Sequence, residues 1–250
     1  MLKNFKTKLK NIKNLFLENL FPSKFSCFNC GDEIDKASND FCLCENCFNK
    51  IKPIKFACKK CGEELNSFTK YCLNCKEETR HFDKVVSVTI FDDVAKHMVH
   101  KLKYGNARYL AEIIVKFMAE KFKEENFKNI DLILPVPLSD KRKKERGYNQ
   151  AEELSFGLSK TLNIMHESNV LLRLKHTQTQ THLTKQERKQ NLLNAFVVVD
   201  KEKIKGKNLL VVDDVITTGA TFDEIARVLK LKGAKSVYGL TFCHTKNKKI

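Results

Sequence analysis

The chain has 250 residues, of which 42% are hydrophobic and 30% are charged, and no apolar run approaches the roughly 20 residues that cross a bilayer. This composition excludes a membrane-spanning protein and is typical of a globular one, with room for one ordinary domain and one small module. The net charge of +16 indicates an anionic partner, either nucleic acid or membrane. Lysine enrichment from an AT-rich genome is the alternative, because only seven of the 46 basic residues are arginine.

Residues 1–24 are predicted to form a basic amphipathic helix that ends at Pro22. The apolar residues that recur at steps of three and four are Leu2, Phe5, Leu9, Ile12, Phe16 and Leu20. Packing against the protein itself or a partner is the preferred interpretation, and binding to a membrane surface is the alternative. Because lysines interrupt residues 1–13, the segment is not a signal peptide, and we expect a cytoplasmic protein.

Nine of the ten cysteines lie between residues 27 and 75. Eight of them form four Cys-x-x-Cys pairs, which are Cys27 with Cys30, Cys44 with Cys47, Cys58 with Cys61, and Cys72 with Cys75. Four such pairs predict two zinc sites of four cysteines each, in a double zinc ribbon over residues 25–80. We expect the first pair to join the second and the third to join the fourth, with cross-braced pairing as the alternative. Cys42 is left as a spare, because Cys44 restores the two-residue spacing.

We expect both zinc sites to be structural, because four cysteines leave no open coordination position. Zinc would supply the folding energy, since residues 25–80 hold too few large apolar residues for a core. Removal of Cys58 is accordingly expected to unfold this region and to leave the downstream domain folded. Disulfides are the alternative, and they are disfavoured in a chain without a signal sequence.

Residues 84–245 alternate between strand and helix patterns, which predicts an α/β domain with a parallel sheet flanked by helices. The predicted strands are 85–91, 130–134, 195–199, 209–212 and 236–242. The predicted helices are 93–104, 107–122, 150–162 and 221–231. Residues 246–250 are predicted to be a basic tail.

The most informative segment is 209–221, in which four apolar residues precede Asp213 and Asp214 and the turn Thr-Thr-Gly-Ala-Thr. A strand, a small-residue turn and a helix N-terminus together bind phosphate, because backbone N–H groups converge there and the helix dipole favours negative charge. The two acids would repel a phosphate, so they suit the hydroxyls of a sugar or a metal ion shared with it. A generic strand–loop–helix in which the acids are caps is the alternative.

Three further segments carry polar groups. Pro135-Val136-Pro137 follows a predicted strand, at the end where open α/β sheets bind ligands. Residues 142–151 form a charged loop with the sequence Arg-Gly-Tyr-Asn-Gln-Ala at its end, for which a solvated basic turn is the alternative. Residues 177–191 combine amides, hydroxyls and an arginine. Four of the seven arginines lie between residues 135 and 191, where they indicate bidentate contacts to phosphate or carboxylate: Arg142, Arg146, Arg173 and Arg188.

The segment 209–221 resembles the 5-phosphoribosyl-1-pyrophosphate (PRPP) signature of type I phosphoribosyltransferases. Together with Pro-Val-Pro, Arg-Gly-Tyr-Asn-Gln-Ala, the Gln180…Arg188…Asn191 segment and the paired cysteines, nearly the whole chain resembles the ComF family, which is linked to DNA uptake and natural competence. The resemblance implies a type I phosphoribosyltransferase-like parallel sheet, preceded by the zinc ribbons and the N-terminal helix.

The same resemblance implies roles for individual residues. Asp213 and Asp214 would hold the ribose 2′- and 3′-hydroxyls. The 5′-phosphate would lie in the loop Thr217, Thr218, Gly219, Ala220, Thr221. The pyrophosphate would be approached by Pro135, Val136 and Pro137. The candidate substrate-side residues are Tyr148, Asn149, Gln150, Gln180, Arg188 and Asn191.

The resemblance also implies Mg²⁺ bound with PRPP, and a mobile loop that carries Arg142 and Arg146 over the pyrophosphate. In a transferase these two arginines and the acid pair would be the catalytic residues, with the arginines and Mg²⁺ meeting the charge that develops on pyrophosphate. Purine-salvage relatives carry a carboxylate three residues after the second acid, where this chain has Thr217. That difference argues against hypoxanthine–guanine chemistry and leaves the acceptor unidentified.

Two functions follow from the sequence. In the preferred one, the protein handles incoming single-stranded DNA, works with proteins of the uptake machinery, and has a pocket for PRPP or a related phosphate and sugar. In the alternative, it is an authentic Mg²⁺-dependent phosphoribosyltransferase with an unidentified acceptor.

Overall fold

The computed structural model describes residues 24–35, 41–66, 69–105, 107–125, 127, 129–174 and 192–245. The predicted basic tail therefore lies outside the described residues, as do Gln180, Arg188 and Asn191 and all of the predicted N-terminal helix except Lys24, which belongs to a strand. The chain divides into two compact units, Met1–Lys50 and Ile51–Ile250. Among the helices that the structure describes, none combines the length and the apolarity that a membrane span requires.

The smaller unit contains an antiparallel hairpin and a short helix. Its strands β1 (Lys24–Ser26) and β2 (Glu33–Asp35) are followed by helix α1 (Glu45–Lys50). The hairpin turns tightly at Gly31, whose φ of +83° is the left-handed conformation that glycine adopts without steric cost. This turn brings Cys27 and Cys30 to the same side of the hairpin.

The larger unit is built on a four-stranded parallel sheet in the order β3-β8-β7-β4. The elements in chain order are helix α2 (Leu73–Glu77), strand β3 (Lys84–Ile90), helices α3 (Asp93–Tyr104) and α4 (Leu110–Glu124), strand β4 (Leu132–Pro135), helices α5 (Asp140–Arg146) and α6 (Gln150–Leu162), strands β5 (Leu171–Arg173), β6 (Phe196–Val198) and β7 (Asn208–Ile216), helix α7 (Ala220–Leu231) and strand β8 (Ser236–His244). The predicted parallel sheet with flanking helices is confirmed.

Helices cover both faces of the sheet, because successive side chains of a strand point to opposite faces. Leu209 and Val211 share a core with Phe222 of α7 on one face. On the other face Phe117 of α4 contacts Phe242 of β8, with ring centroids 6.0 Å apart. The central strands are thus buried on both sides, as all-parallel sheets require.

Two predicted strands differ from the observed ones in a way that affects the site or the sheet order. The strand predicted over 209–212 continues to Ile216, because Asp213, Val215 and Ile216 pair with β8 as regularly as the apolar residues before them. The strand predicted over 195–199 is β6, and it pairs antiparallel with β5 in a separate two-stranded sheet. Apolar periodicity locates a strand, but its length and its partner depend on tertiary pairing.

The segment before β3 covers the exposed edge of the sheet. The backbone N–H of Val85 donates to Lys60 O (2.8 Å), and the hydroxyl of Thr89 donates to Lys52 O (2.7 Å). Gly62 has a φ of +75°, and a Cβ at this position would lie 2.9 Å from Val85 O. The second cysteine segment therefore satisfies backbone groups of an edge strand that would otherwise be free to pair with another chain.

The second cysteine cluster also shares the apolar core of the larger unit. Cys58, Cys61 and Cys72 are buried in the same cluster as Phe82 and Val85. The expectation that removing Cys58 leaves the downstream domain folded stays a prediction, and the shared core argues against it. The predicted boundary of the ribbon region at residue 80 remains a prediction.

We predict that Gly62→Ala destabilises the larger unit by about 2–4 kcal/mol, the sum of a left-handed backbone penalty and a steric conflict with β3. Gly206→Ala is the matched control, since Gly206 has a φ of +71° and no heavy atom within 4 Å of an added Cβ. The control should lose only about 1–2 kcal/mol. Urea unfolding with zinc content checked measures both, and equal losses would show that Gly62 does not pack closely on β3.

Candidate functional site

The first cysteine cluster consists of Cys27, Cys30, Cys44 and Cys47, whose sulfur atoms all lie within 4.8 Å of one another. The amide of Asn29 donates to the sulfur of Cys47 (3.2 Å). Burial alone would raise the pKa of the Cys27 thiol, but hydrogen bonds from backbone N–H groups, including that of Cys44, hold it at about 6. A thiolate is the form that binds zinc, so this donor set fits the metal.

The second cluster consists of Cys58, Cys61, Cys72 and Cys75, again with all sulfur atoms within 4.8 Å of one another. The backbone N–H of Cys72 donates to the sulfur of Cys58 (3.3 Å). The first pair thus joins the second and the third joins the fourth, so the expected nested pairing is confirmed. Cys42 belongs to neither cluster. Both four-cysteine sets fit tetrahedral zinc with no open position.

A cleft of about 310 Å³ lies at the carboxyl ends of β4 and β7. Parallel α/β sheets bind ligands at the carboxyl ends of their strands. The structure brings most of the sequence-predicted site residues to it: Val136, Pro137, Arg142, Arg146, Gln150, Asp213, Asp214, Thr217, Gly219, Ala220 and Thr221. Of the described site residues, those that do not line the cleft are Pro135, Thr218, Tyr148 and Asn149.

The two adjacent acids face opposite sides of the sheet. Asp214 points to the side of α3 and α6, where it is 2% exposed, 2.5 Å from Lys103 Nζ and 3.2 Å from Gln150 Nε2. Asp213 points to the side of β5 and α7, and one of its oxygens accepts the backbone N–H of Asp214 (2.9 Å). The alternation of a β-strand thus gives one acid a cation and leaves the other half-exposed in the cleft.

Their surroundings move the pKa values of the two acids in opposite directions. Burial and the neighbouring Asp214 charge raise the pKa of Asp213 well above its usual range. Burial would also raise the pKa of Asp214, but Lys103 outweighs it and lowers that pKa. Burial would lower the pKa of Lys103, and Asp214 reverses this and raises it. Lys103 and Asp214 are therefore a charged pair in the neutral pH range, beside an acid that resists ionisation.

The turn before α7 leads into a helix N-terminus, where free backbone N–H groups and the helix dipole favour negative charge. Gly219 is its N-cap with a φ of +77°, and the backbone N–H of Ala220 lies 3.4 Å from the hydroxyl of Thr218. Arg80 is 8% exposed and donates to the backbone carbonyl of Thr218 (3.4 Å). The backbone N–H of His81 donates to Asp223 in the first turn of α7 (2.6 Å). The chain leaving the second cysteine cluster thus holds this turn in place.

The predicted charged loop is a helix, α5. Ser139 caps it by accepting the backbone N–H of Arg142 (3.5 Å), and Gly147 ends it with a φ of +77°. Arg142 lines the cleft from this helix. Arg146 donates to Gln150 Oε1 (2.9 Å) and to the hydroxyl of Tyr104 (3.0 Å). The basic residues of this segment are therefore held in a regular helix at the mouth of the cleft.

The polar groups of Tyr148 and Asn149 have partners within the protein. The Tyr148 hydroxyl donates to the carbonyl of Leu102 at the end of α3. Asn149 caps α6 by accepting the N–H of Ala151 (3.0 Å) and donates to the carbonyl of Val136 (3.1 Å). Through these contacts the Arg-Gly-Tyr-Asn-Gln-Ala segment positions α3, α6 and the Pro-Val-Pro turn around the cleft.

Sequence reasoning missed Lys103, which lines the cleft. Arg173 also lines it, and the sequence predicted this residue only as one of four arginines suited to phosphate or carboxylate. Lys103 is one lysine in a chain rich in lysine, and no local pattern separates it from its neighbours on α3. Its position in the cleft follows only from the packing of α3.

Comparison with known proteins gives consistent matches. Residues 107–250 match the family described as "Phosphoribosyl transferase domain". Competence protein F of Haemophilus influenzae is 34% identical over 218 residues, which cover 85% of this chain and 94% of that protein. DNA utilization protein YhgH of Salmonella typhimurium is 31% identical over 178 residues, or 70% and 78% of the two chains. Competence protein ComFC of Bacillus subtilis is 30% identical over 214 residues, or 80% and 82%.

We predict that the two zinc sites have unequal effects on the larger unit. Cys58→Ser should release one zinc and lower the unfolding temperature of that unit by several degrees or more, because an incomplete zinc site opens its core. Cys30→Ser, the matched control in the smaller unit, should also lose one zinc and leave that temperature unchanged. Metal analysis with calorimetry measures both changes. Equal thermal stability of the two variants would contradict the shared core of Cys58.

Proposed function

The chain belongs to the family of competence protein F and ComFC and carries a phosphoribosyl transferase domain, and on this premise we propose that it handles single-stranded DNA in natural transformation and binds PRPP in its cleft. The observation that carries the ligand assignment is the meeting of three groups in one cleft: an acid pair, a helix N-terminus behind a glycine, and four cations. These are the groups that a sugar, a phosphate and a pyrophosphate respectively require.

Each part of PRPP has a complementary partner. The half-buried carboxyl group of Asp213 exchanges hydrogen bonds with ribose hydroxyls, because it accepts in either protonation state and also donates when it is protonated. The backbone N–H groups of the turn from Thr217 to Thr221 bind the 5′-phosphate, where the helix dipole favours negative charge. Arg142 and Arg173 reach the pyrophosphate as planar donors. The Pro-Val-Pro turn forms the wall beside it.

The DNA-binding part of the proposal rests on α5. Lys141, Lys143 and Lys144 are exposed on this helix at the mouth of the cleft. Tyr104 is 64% exposed beside it, with the guanidinium of Arg146 5.0 Å from its ring centre. A row of lysines next to an exposed aromatic ring is the combination that binds single-stranded nucleic acid, through phosphate contacts and base stacking.

The competence and DNA-utilization names of the relatives support a role in DNA uptake. Proteins of the uptake machinery as partners and the cytoplasm as the site of action are part of the same proposal. The second candidate function is PRPP-dependent transfer to an unidentified acceptor, with Mg²⁺ neutralising pyrophosphate. Arginines facing the leaving group favour it. Acceptor-dependent release of pyrophosphate, with no binding of single-stranded DNA at physiological salt, would establish transfer and overturn the DNA-handling proposal.

We predict that Asp213→Asn weakens PRPP binding roughly 2- to 10-fold, because the amide NH2 cannot accept as the replaced oxygen does, and a hydrogen bond between uncharged groups contributes about 0.5–1.5 kcal/mol. Glu202→Gln is the control. It removes an exposed acid that precedes β7 and so lies towards the amino ends of the strands, away from the cleft. Titration calorimetry with PRPP measures both variants. Unchanged affinity in Asp213→Asn would refute the assignment of the acid pair to the ribose.

We predict that replacing Lys141, Lys143 and Lys144 together by Gln weakens binding to an oligothymidylate and leaves PRPP affinity unchanged. The slope of log affinity against log salt should become shallower by about 2, because each phosphate contact with a single strand contributes about 0.7. The matched control replaces Lys201, Lys205 and Lys235, exposed lysines at the amino ends of β7 and β8. Equal losses in the two triple variants, measured by fluorescence anisotropy across a salt series, would exclude α5 as the binding surface.

A further inference from the structure

Lys103 is fixed at the centre of the cleft by its neighbours in the chain. It lies in the last turn of α3, and its side chain is 21% exposed with Nζ 2.5 Å from Asp214 Oδ2. The residue before it, Leu102, accepts the Tyr148 hydroxyl through its carbonyl. The residue after it, Tyr104, is held by Arg146. The ammonium group is therefore positioned before any ligand arrives.

The acid pair does not fit a divalent cation in this arrangement. Mg²⁺ requires near-octahedral oxygen ligands at about 2.0–2.1 Å. Three of the four carboxylate oxygens already have partners: Lys103 and Gln150 engage the two oxygens of Asp214, and the backbone N–H of Asp214 engages one oxygen of Asp213. A dication at Asp214 would also have to share that carboxylate with an ammonium group. The resemblance implies Mg²⁺ here, and the residues present disagree with it.

The cleft contains enough positive charge of its own to accept pyrophosphate. Among the described residues, those that line it include four cations, Lys103, Arg142, Arg146 and Arg173, and two acids. Asp214 is neutralised by Lys103, and the arginines carry planar donors that suit phosphate oxygens. The groups that a bound dication would neutralise in other proteins are here neutralised by side chains.

We propose that Lys103 takes the place of a divalent cation, so that the cleft binds PRPP without one. The inference rests on the proposed PRPP ligand and adds which group balances the negative charge of the acid pair and of the pyrophosphate. Lys103 holds Asp214 through this ion pair. Because Lys103 lines the same cleft as Arg142 and Arg173, its ammonium group would also face the pyrophosphate of the bound ligand. Lys103 is thus a binding residue for the ligand as well as a partner of Asp214.

The test is calorimetric titration of PRPP into the zinc-loaded full-length protein, in buffers freed of divalent cations by chelating resin and in the same buffers with Mg²⁺. Zinc content is measured before and after each titration. The wild-type dissociation constant is expected to agree within about threefold between the two buffers. A tenfold or greater loss on removal of Mg²⁺ would overturn the inference. No binding in either buffer would overturn the proposed ligand itself, and the inference with it.

Variants of α3 test Lys103 directly. Lys103→Met is expected to bind PRPP at least about tenfold more weakly without Mg²⁺ and to recover when Mg²⁺ is added, because the dication can then occupy the site beside Asp214. Lys101→Met, an exposed lysine of the same helix, should bind as the wild type does. Unchanged binding by Lys103→Met without Mg²⁺ would overturn the inference. If this variant does not fold, as judged by its unfolding transition, the wild-type comparison decides alone.

Discussion

The parallel pairing of β7 with β8 is the constraint on which the site depends. The pairing continues past the apolar residues to Ile216, so Asp213 and Asp214 lie inside a strand rather than in a loop. Side-chain alternation then sends one acid to each face of the sheet, although the two are neighbours in sequence. Their opposite pKa shifts follow from this geometry, because only one face carries Lys103. In a loop, both acids would have been exposed to solvent to a similar extent, and their pKa values would have been shifted in the same way.

The second cysteine cluster is part of the architecture of the larger unit. Its hairpin supplies backbone partners to β3, its sulfur-bearing residues join the core, and the segment after it holds the turn before α7 through Arg80. A small metal site cannot build a core of its own. Packing against the edge of the sheet therefore gives the cluster a core and also covers the edge strand β3. The first cluster lies in the other compact unit, Met1–Lys50.

Local patterns predicted much of this protein, and tertiary contacts decided the rest. The cysteine spacing was sufficient to group the ligands correctly, and the strand–turn–helix pattern located the candidate phosphate turn. The end of β7 could not be predicted, because it depends on the length of β8. Lys103 could not be predicted either, since its role depends on the packing of α3 against the sheet. The helix α5 was predicted as a loop because its charged sequence has no apolar face, and its Ser139 cap was overlooked.

The hydrogen bond from Arg80 to Thr218 joins the segment after the second cysteine cluster to the turn before α7. Thermodynamic linkage is reciprocal, so if zinc strengthened the binding of an anion at this turn by some factor, the anion would strengthen the binding of zinc by the same factor. Arg80 is the contact through which such a coupling would pass between two sites of entirely different chemistry.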